Sequence, residues 1–208
     1  MLGKFFECEA DKNVKYYRFI QTERKYEDGR RFPINEIVKC DKKINLKAED
    51  MEQMGGFFIS DKDFIFRWLI RGDTLCEVII PENEKIYKTP TKYGIYLADS
   101  IILTNPQKVD DEYAMKLYLQ SKLLEKEYFK TMTACAICGY MKTAFRVCHD
   151  KVNIENIEQA IEEFEGFCKR RNGENFIDNK MAKENINKLY EKLKKVRNIK
   201  YNKEFHTT

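Results

Sequence analysis

Ser100-Ile-Ile-Leu-Thr-Asn-Pro-Gln-Lys-Val-Asp-Asp-Glu-Tyr-Ala-Met-Lys-Leu117 is where this chain changes character. Before Asn105-Pro106 the apolar residues come in short β-branched runs, which suit a pleated, half-buried surface. After Pro106 they recur at 3.6-residue spacing, the mark of an amphipathic helix. Asp110 and Asp111 stand where a helix N-terminus attracts negative charge. The break predicts an α+β chain with a β-rich N-terminal module over 1–106. An all-helical half made of antiparallel hairpins follows over 107–168, and a basic amphipathic helix and tail over 169–208.

Working back from the break, Tyr93–Leu97 and Ser100–Thr104 read as strands, the second closed by Asn105-Pro106. Leu75–Ile80, closed by Pro81, is the clearest strand of the chain. Gly72-Asp73 stops a short helix over Lys62–Ile70, whose Phe64, Ile65, Trp68 and Leu69 share one face. Gly55-Gly56 introduces the short apolar strand Phe57–Ser60. Val14–Ile20 is β-branched and aromatic, Asp28-Gly29 signals a turn, and Glu36–Lys39 fits a short strand.

Working forward, Tyr113, Leu117, Ser121 and Leu124 trace a first helical face. Tyr128, Met132, Cys135 and Gly139 trace a second, and Met141, Ala144, Phe145 and Cys148 a third. Asn153 suits the N-cap of a fourth helix carrying Ile154, Ile157, Ile161, Phe164 and Cys168. After the polar break Lys169–Asn175, a last helix runs from about Asp178 to Arg197. Its Ala182, Ile186, Leu189, Leu193 and Val196 form a heptad-like seam. The seam serves either a homodimer or packing on the helical half. The residues closing the chain are expected to fray.

Composition bounds the function. The 208 residues carry a net charge of +4. From Lys169 onward 12 basic residues face 5 acidic ones, so the tail holds +7 and the first 168 residues about −3. The basic candidates there are Lys188, Lys192, Lys194, Lys195 and Arg197. Aromatic residues among them are few (Tyr190, Tyr201 and Phe205), which argues for a solvated helix face over a nucleic-acid platform. Seven cysteines, an odd number at irregular spacing, predict free thiols in a reducing cytoplasm. The opening Met1–Cys8 lacks the apolar core of a signal peptide, and no run nears the ~20 apolar residues that cross a bilayer.

Motifs for chemistry are incomplete. Cys135 and Cys138 form one C-x-x-C on a helical face, without the second pair that a zinc site needs. Small apolar thiols in a core explain it better. His149-Asp150 is half of a metal-dependent phosphohydrolase motif, but only His206 could add a second imidazole. A histidine at a helix C-terminus explains it without a metal. Phosphate-binding glycine loops and a nucleophile elbow are absent, and no metal or cofactor is expected.

Three segments together resemble a known family. They are Lys15–Ile20, Met54–Asn83 and Lys92–Leu103. Their aromatic Tyr-Arg-Phe strand, Gly-Gly-aromatic turn, Glu-Val-Ile-Ile-Pro strand and terminal Ile-Ile-Leu are similar to a domain of giant DNA viruses. That domain, found N-terminal to ankyrin-like repeats in proteins of the mimivirus type, has no assigned function. Leu97-Ala98-Asp99-Ser100-Ile101-Ile102-Leu103 stands where the family's Lys-Ala-Asp-Lys run is usual, and Cys40 lies further from Gly55 than in the family. Thr133–Tyr140 and the helix after it resemble one degenerate ankyrin-type unit. The resemblance implies an interaction adaptor or structural protein, viral, in the host cytoplasm or the virion, with a host or viral protein as partner.

The order Gly-Gly-Phe-Phe-Ile-Ser, helix, Leu-Cys-Glu-Val-Ile-Ile also resembles the ADP-ribosyltransferases. On that alternative Tyr17 and Arg18 hold a dinucleotide near Gly55 and Gly56. Phe57 or Phe58 then stacks on nicotinamide, and Glu77 stabilises the oxocarbenium charge. The complete histidine-tyrosine-glutamate or arginine-serine-glutamate set is absent. A nucleic-acid-associated virion protein, acting through the basic tail, is the third reading.

Overall fold

The computed structural model describes residues 5–21, 32–48, 53–89, 94–171 and 179–205. It divides into two compact units, Met1–Val109 with Gln120–Leu123, and Asp110–Leu119 with Leu124–Thr208. The first is a β unit and the second is helical, so the chain is α+β. The Asp28-Gly29 turn and the centre of the Lys169–Asn175 break lie outside the described residues.

The β unit holds β1 (Phe6–Glu9), β2 (Tyr16–Ile20), β3 (Ile37–Lys39), β4 (Phe57–Asp61), β5 (Thr74–Ile79), β6 (Lys85–Lys88), β7 (Ile95–Ala98) and β8 (Ser100–Lys108). All pairings are antiparallel, in the order β1-β6-β7-β4-β2-β5-β8-β3. Only Asp99 separates β7 from β8, so they form one bent strand. Its first half pairs with β4 and β6, its second with β5 and β3. The path β7-β4-β2-β5-β8 therefore returns to the strand it left, and the sheet curls on itself. Its inner face is the main core, built from alternate residues such as Tyr16, Ile20, Phe57, Ile59, Cys76, Val78, Ile101 and Leu103. Burying such side chains contributes ~1.5–3 kcal/mol each.

Three expectations for this unit change. The strand through Ser100–Thr104 does not end at Asn105-Pro106; it continues to Lys108 across a bulge. Leu75 faces Gln107 and Glu77 faces Thr104, so β8 carries one extra residue there. Asn105 takes the left-handed conformation (φ 50°) and Pro106 has no N–H to lose, so both sit at the irregularity. The helix expected over Lys62–Ile70 is a 3-10 helix over Ile65–Arg71, its apolar side packed under the sheet through Ile65, Phe66, Leu69 and Ile70. Strands β1 and β6 have no counterpart in the sequence reading. They are short and polar, holding each other through a Lys85–Glu7 ion pair and Lys88 over the Phe6 ring, with only Ile86 fully buried.

The helical unit holds α1 (Asp111–Gln120), α2 (Glu125–Cys138), α3 (Met141–Lys151), α4 (Ile157–Arg171) and α5 (Lys180–Phe205). Asp110 caps α1, its Oδ1 accepting from the Tyr113 N–H at 2.8 Å. Gly139 is not on the buried face of α2; it is the left-handed residue (φ 89°) that ends the helix. Asn153 caps a turn, accepting from Glu155 and Asn156 N–H groups, so α4 begins later than the sequence suggests. The last helix runs past Arg197 to Phe205, where an earlier end and fraying were expected.

No side chain of its own caps α3; Asp111, from the first turn of α1, does so. Its carboxylate accepts from the Lys142 N–H (2.8 Å), the Thr143 N–H (2.9 Å) and the Thr143 hydroxyl (2.7 Å). Thr143 is fully buried, so its two donors have no water to turn to. Asp111→Ala is expected to cost about 2 kcal/mol in a urea melt, against near zero for the neighbouring exposed Glu112→Ala.

Candidate functional site

The sequence candidates around β2 and β4 do not converge on a pocket large enough for a dinucleotide. Tyr17 and Arg18 are neighbours on β2, so their side chains leave the sheet on opposite faces. The Arg18 guanidinium lies on the inner side, 5.4 Å over the Phe57 ring and 5.6 Å over Phe32. Its Nη1 donates to the Phe58 carbonyl at 2.7 Å. Phe57 belongs to the main core, while Phe58 faces the other way onto Trp68 of the 3-10 helix. Tyr17, Arg18 and Phe58 do border one cavity, beside Trp68 and Arg71, but it is only about 10 Å³. That volume suits one water molecule and cannot take a nicotinamide.

Glu77 stands opposite Tyr17 on β5. Its carboxylate accepts from Lys15 Nζ and from Asn105 Nδ2, both at 3.2 Å. It borders an open groove of about 300 Å³, lined by the chain from Ala10 to Tyr16 and by Glu77–Ile80. Arg18, Phe57 and Phe58 are not part of that groove. The structure thus separates the carboxylate from the cation and the rings of the enzyme alternative.

Gly55 and Gly56 both have φ +67°. A Cβ on Gly55 would meet the Lys43 carbonyl oxygen at 2.5 Å, and the Gly56 N–H donates to the Lys42 carbonyl. This chain's own backbone fills the close approach that a phosphate would need.

The thiols behave as core residues. Cys135 is fully buried, and burial pushes its thiol well above the ordinary range. Burial likewise raises Cys76, Cys148 and Cys168 to about 11. None of the seven cysteines forms a disulfide, and no metal-binding cluster of acidic, histidine or cysteine residues exists among the described residues.

His149-Asp150 joins a surface network at the end of α3. Asp150 accepts from Arg146 Nε (2.7 Å) and the Tyr118 hydroxyl (2.9 Å), with His149 Nδ1 at 2.9 Å. The His149 bond, then those from Arg146 and Tyr118, hold the carboxyl down at about 2. A carboxyl lowered by folding stabilises above its unfolded value and loses that contribution as pH falls. The urea midpoint is therefore expected to drop between about pH 4 and pH 2. Asp150→Asn is expected to flatten that segment of the profile.

The basic candidates do not form one stripe. Lys188, Lys192 and Lys195 share a face of α5 at i, i+4 and i+7, while Lys194 and Arg197 lie across the helix. Lys192 sits 4.8 Å over the Phe145 ring, and Lys194 pairs with Glu191 and lies over the Tyr190 ring. The heptad-like seam is spent inside the chain. Ala182, Leu189 and Leu193 are buried where α5 packs on α2 and α4, with Ile186 and Val196 half-buried. A homodimer through residues 182–196 has no free apolar stripe to use. No described helix is long and apolar enough to cross a membrane.

One surface feature lay outside the sequence candidates. In the strand register Ile37 faces Ile102, and Ile102 faces Ile79. Their neighbours Val38, Ile101, Leu103 and Val78 belong to the inner core, so this row lies on the outer face. Ile37 is 57% and Ile79 52% exposed. The signal was present as Glu36–Lys39, Leu75–Ile80 and Ser100–Leu103, but only the register brings the three together. No protein-family model, curated protein or solved structure matches the chain.

Proposed function

We propose that this chain is a non-enzymatic interaction protein of the giant-virus type that its N-terminal half resembles, acting in the host cytoplasm or the virion. The observation that carries the reading is the row Ile37, Ile102 and Ile79 on the outer face of the β unit, exposed at Ile37 and Ile79 and half-buried at Ile102. Adjoining apolar side chains left in water mark a surface that another molecule covers. Seven cysteines without a disulfide among them fit a reducing compartment. The separation of Glu77 from Arg18 and the phenylalanines weighs against the transferase alternative.

Chemical crosslinking of the full chain in the cell that produces it tests the reading. Crosslinks from Lys39 or from lysines near Ile79 to another protein are the expected result. A chain recovered without any crosslinked partner would overturn it. Calorimetry with NAD tests the transferase: affinity tighter than ~1 mM together with label transfer would replace the interaction reading.

A further inference from the structure

We propose that β3 is a docking edge for an extended partner segment that pairs with it and carries an acidic residue two positions before an apolar one. The proposal rests on the interaction reading and names the site and partner chemistry for it. Strand β3 lies at the end of the sheet order. The Cys40 N–H donates to the Asp99 carbonyl at 2.8 Å, which sets the phase of the ladder. Hydrogen-bonded pairs alternate in an antiparallel ladder, so Val38 bonds to β8 while Ile37 and Lys39 turn their N–H and C=O groups away from it. Two donors and two acceptors are thus presented on the open side, the arrangement that β-strand addition uses.

The side chains set the partner's chemistry. Ile37 and Lys39 share the outer face, and Ile37 opens onto the shelf that Ile102 and Ile79 continue. An incoming antiparallel strand places side chains beside both. An apolar one beside Ile37 covers the shelf, and a carboxylate beside Lys39 completes a cross-strand charge pair. Lys39 is exposed and has no ion pair among the described residues. Its ammonium therefore favours a carboxylate at the facing position of the partner strand.

A second copy of the chain fits less well. Three isoleucines expose on the order of 200–300 Å², against ~800 Å² per partner in a stable interface. A symmetric antiparallel pairing of two β3 strands centred on Val38 would also set each Lys39 opposite an Ile37, with no carboxylate to meet it.

The test uses the full chain, isotopically labelled, and the blocked peptide TETVTET. Amide shifts at Ile37 and Lys39 are expected, with a Kd below ~1 mM. Ile37→Ser should weaken binding about tenfold, and Lys39→Glu about fivefold while gaining affinity for the charge-reversed peptide TKTVTKT. Both positions are exposed, and an unchanged amide spectrum away from β3 verifies the fold of each variant. Methylating the valine nitrogen of the peptide removes a main-chain donor and should abolish binding. Saturable shifts confined to other strands, no binding, or indifference to the charge swap would overturn the proposal. Affinity capture from the producing cell separates it from the broader reading. A partner retained by Ile37→Ser and Lys39→Glu overturns the β3 edge alone, and no partner with either form overturns both.

Discussion

Gly72→Ala is expected to unfold the β unit, or to lower its melting temperature by more than about 10 °C. Gly72 follows the 3-10 helix with an extended backbone (φ 176°), a conformation any residue adopts, so dihedral strain is not the cause. Space is the cause. A Cβ at this position would lie 2.1 Å from the Ile20 carbonyl oxygen and 2.3 Å from the Ile20 carbonyl carbon. These are backbone atoms at the end of β2, whose register with β5 runs through the Ile20–Thr74 pair. They move only if β2 moves. Strand β2 is also the link between β4 and β5 on which the closed path of the sheet depends. Overpacking against mobile side chains costs about 1–3 kcal/mol, and a rigid backbone neighbour places this change at or above the upper end. Thermal melts followed by circular dichroism measure it. A variant melting within about 2 °C of the parent would show that β2 yields, and that the packing at the Gly72 turn is looser than the structure indicates.

Phe129→Ala should destabilise the helical unit by about 3–5 kcal/mol. Phe129 is fully buried on α2, which packs against α3, α4 and α5 and so is the hub of this unit. Met132, Ala134, Cys135 and Ala136 on the same helix are also buried, leaving few mobile atoms to collapse into the space of a lost ring. The cost of a large-to-small change grows with the cavity that stays open. Urea denaturation of the full chain reads the effect as a lower midpoint for the helical signal. Phe129→Leu, which keeps most of the volume, should recover more than half of the loss. Equal effects from the two substitutions would mean that the ring's volume is not what stabilises α2.

The fold class was legible in the sequence because it depends on period. Apolar residues two apart before Pro106 and three or four apart after it commit the two halves to strand and helix, as burial of one face requires. The helix start at Asp110 was also readable, since its carboxylate acts on a backbone N–H three residues away, whereas Asn153 caps a turn ahead of α4 rather than the helix itself. The basic excess of the tail is composition alone. What only the tertiary structure decided are the relations between distant residues. The register of β3, β8 and β5 aligns Ile37, Ile102 and Ile79; the bend at Asp99 makes one strand serve both sides of the sheet; Asp111 caps a helix some thirty residues away. The same applies to what became of the candidate site. Neighbours on one strand must face opposite ways, so Tyr17 and Arg18 are parted by the pleat that makes β2 a strand. The heptad-like seam reads identically whether its partner is another chain or the preceding helices. Packing on α2 and α4 made that choice, because burying the seam within one chain carries no entropic cost of association.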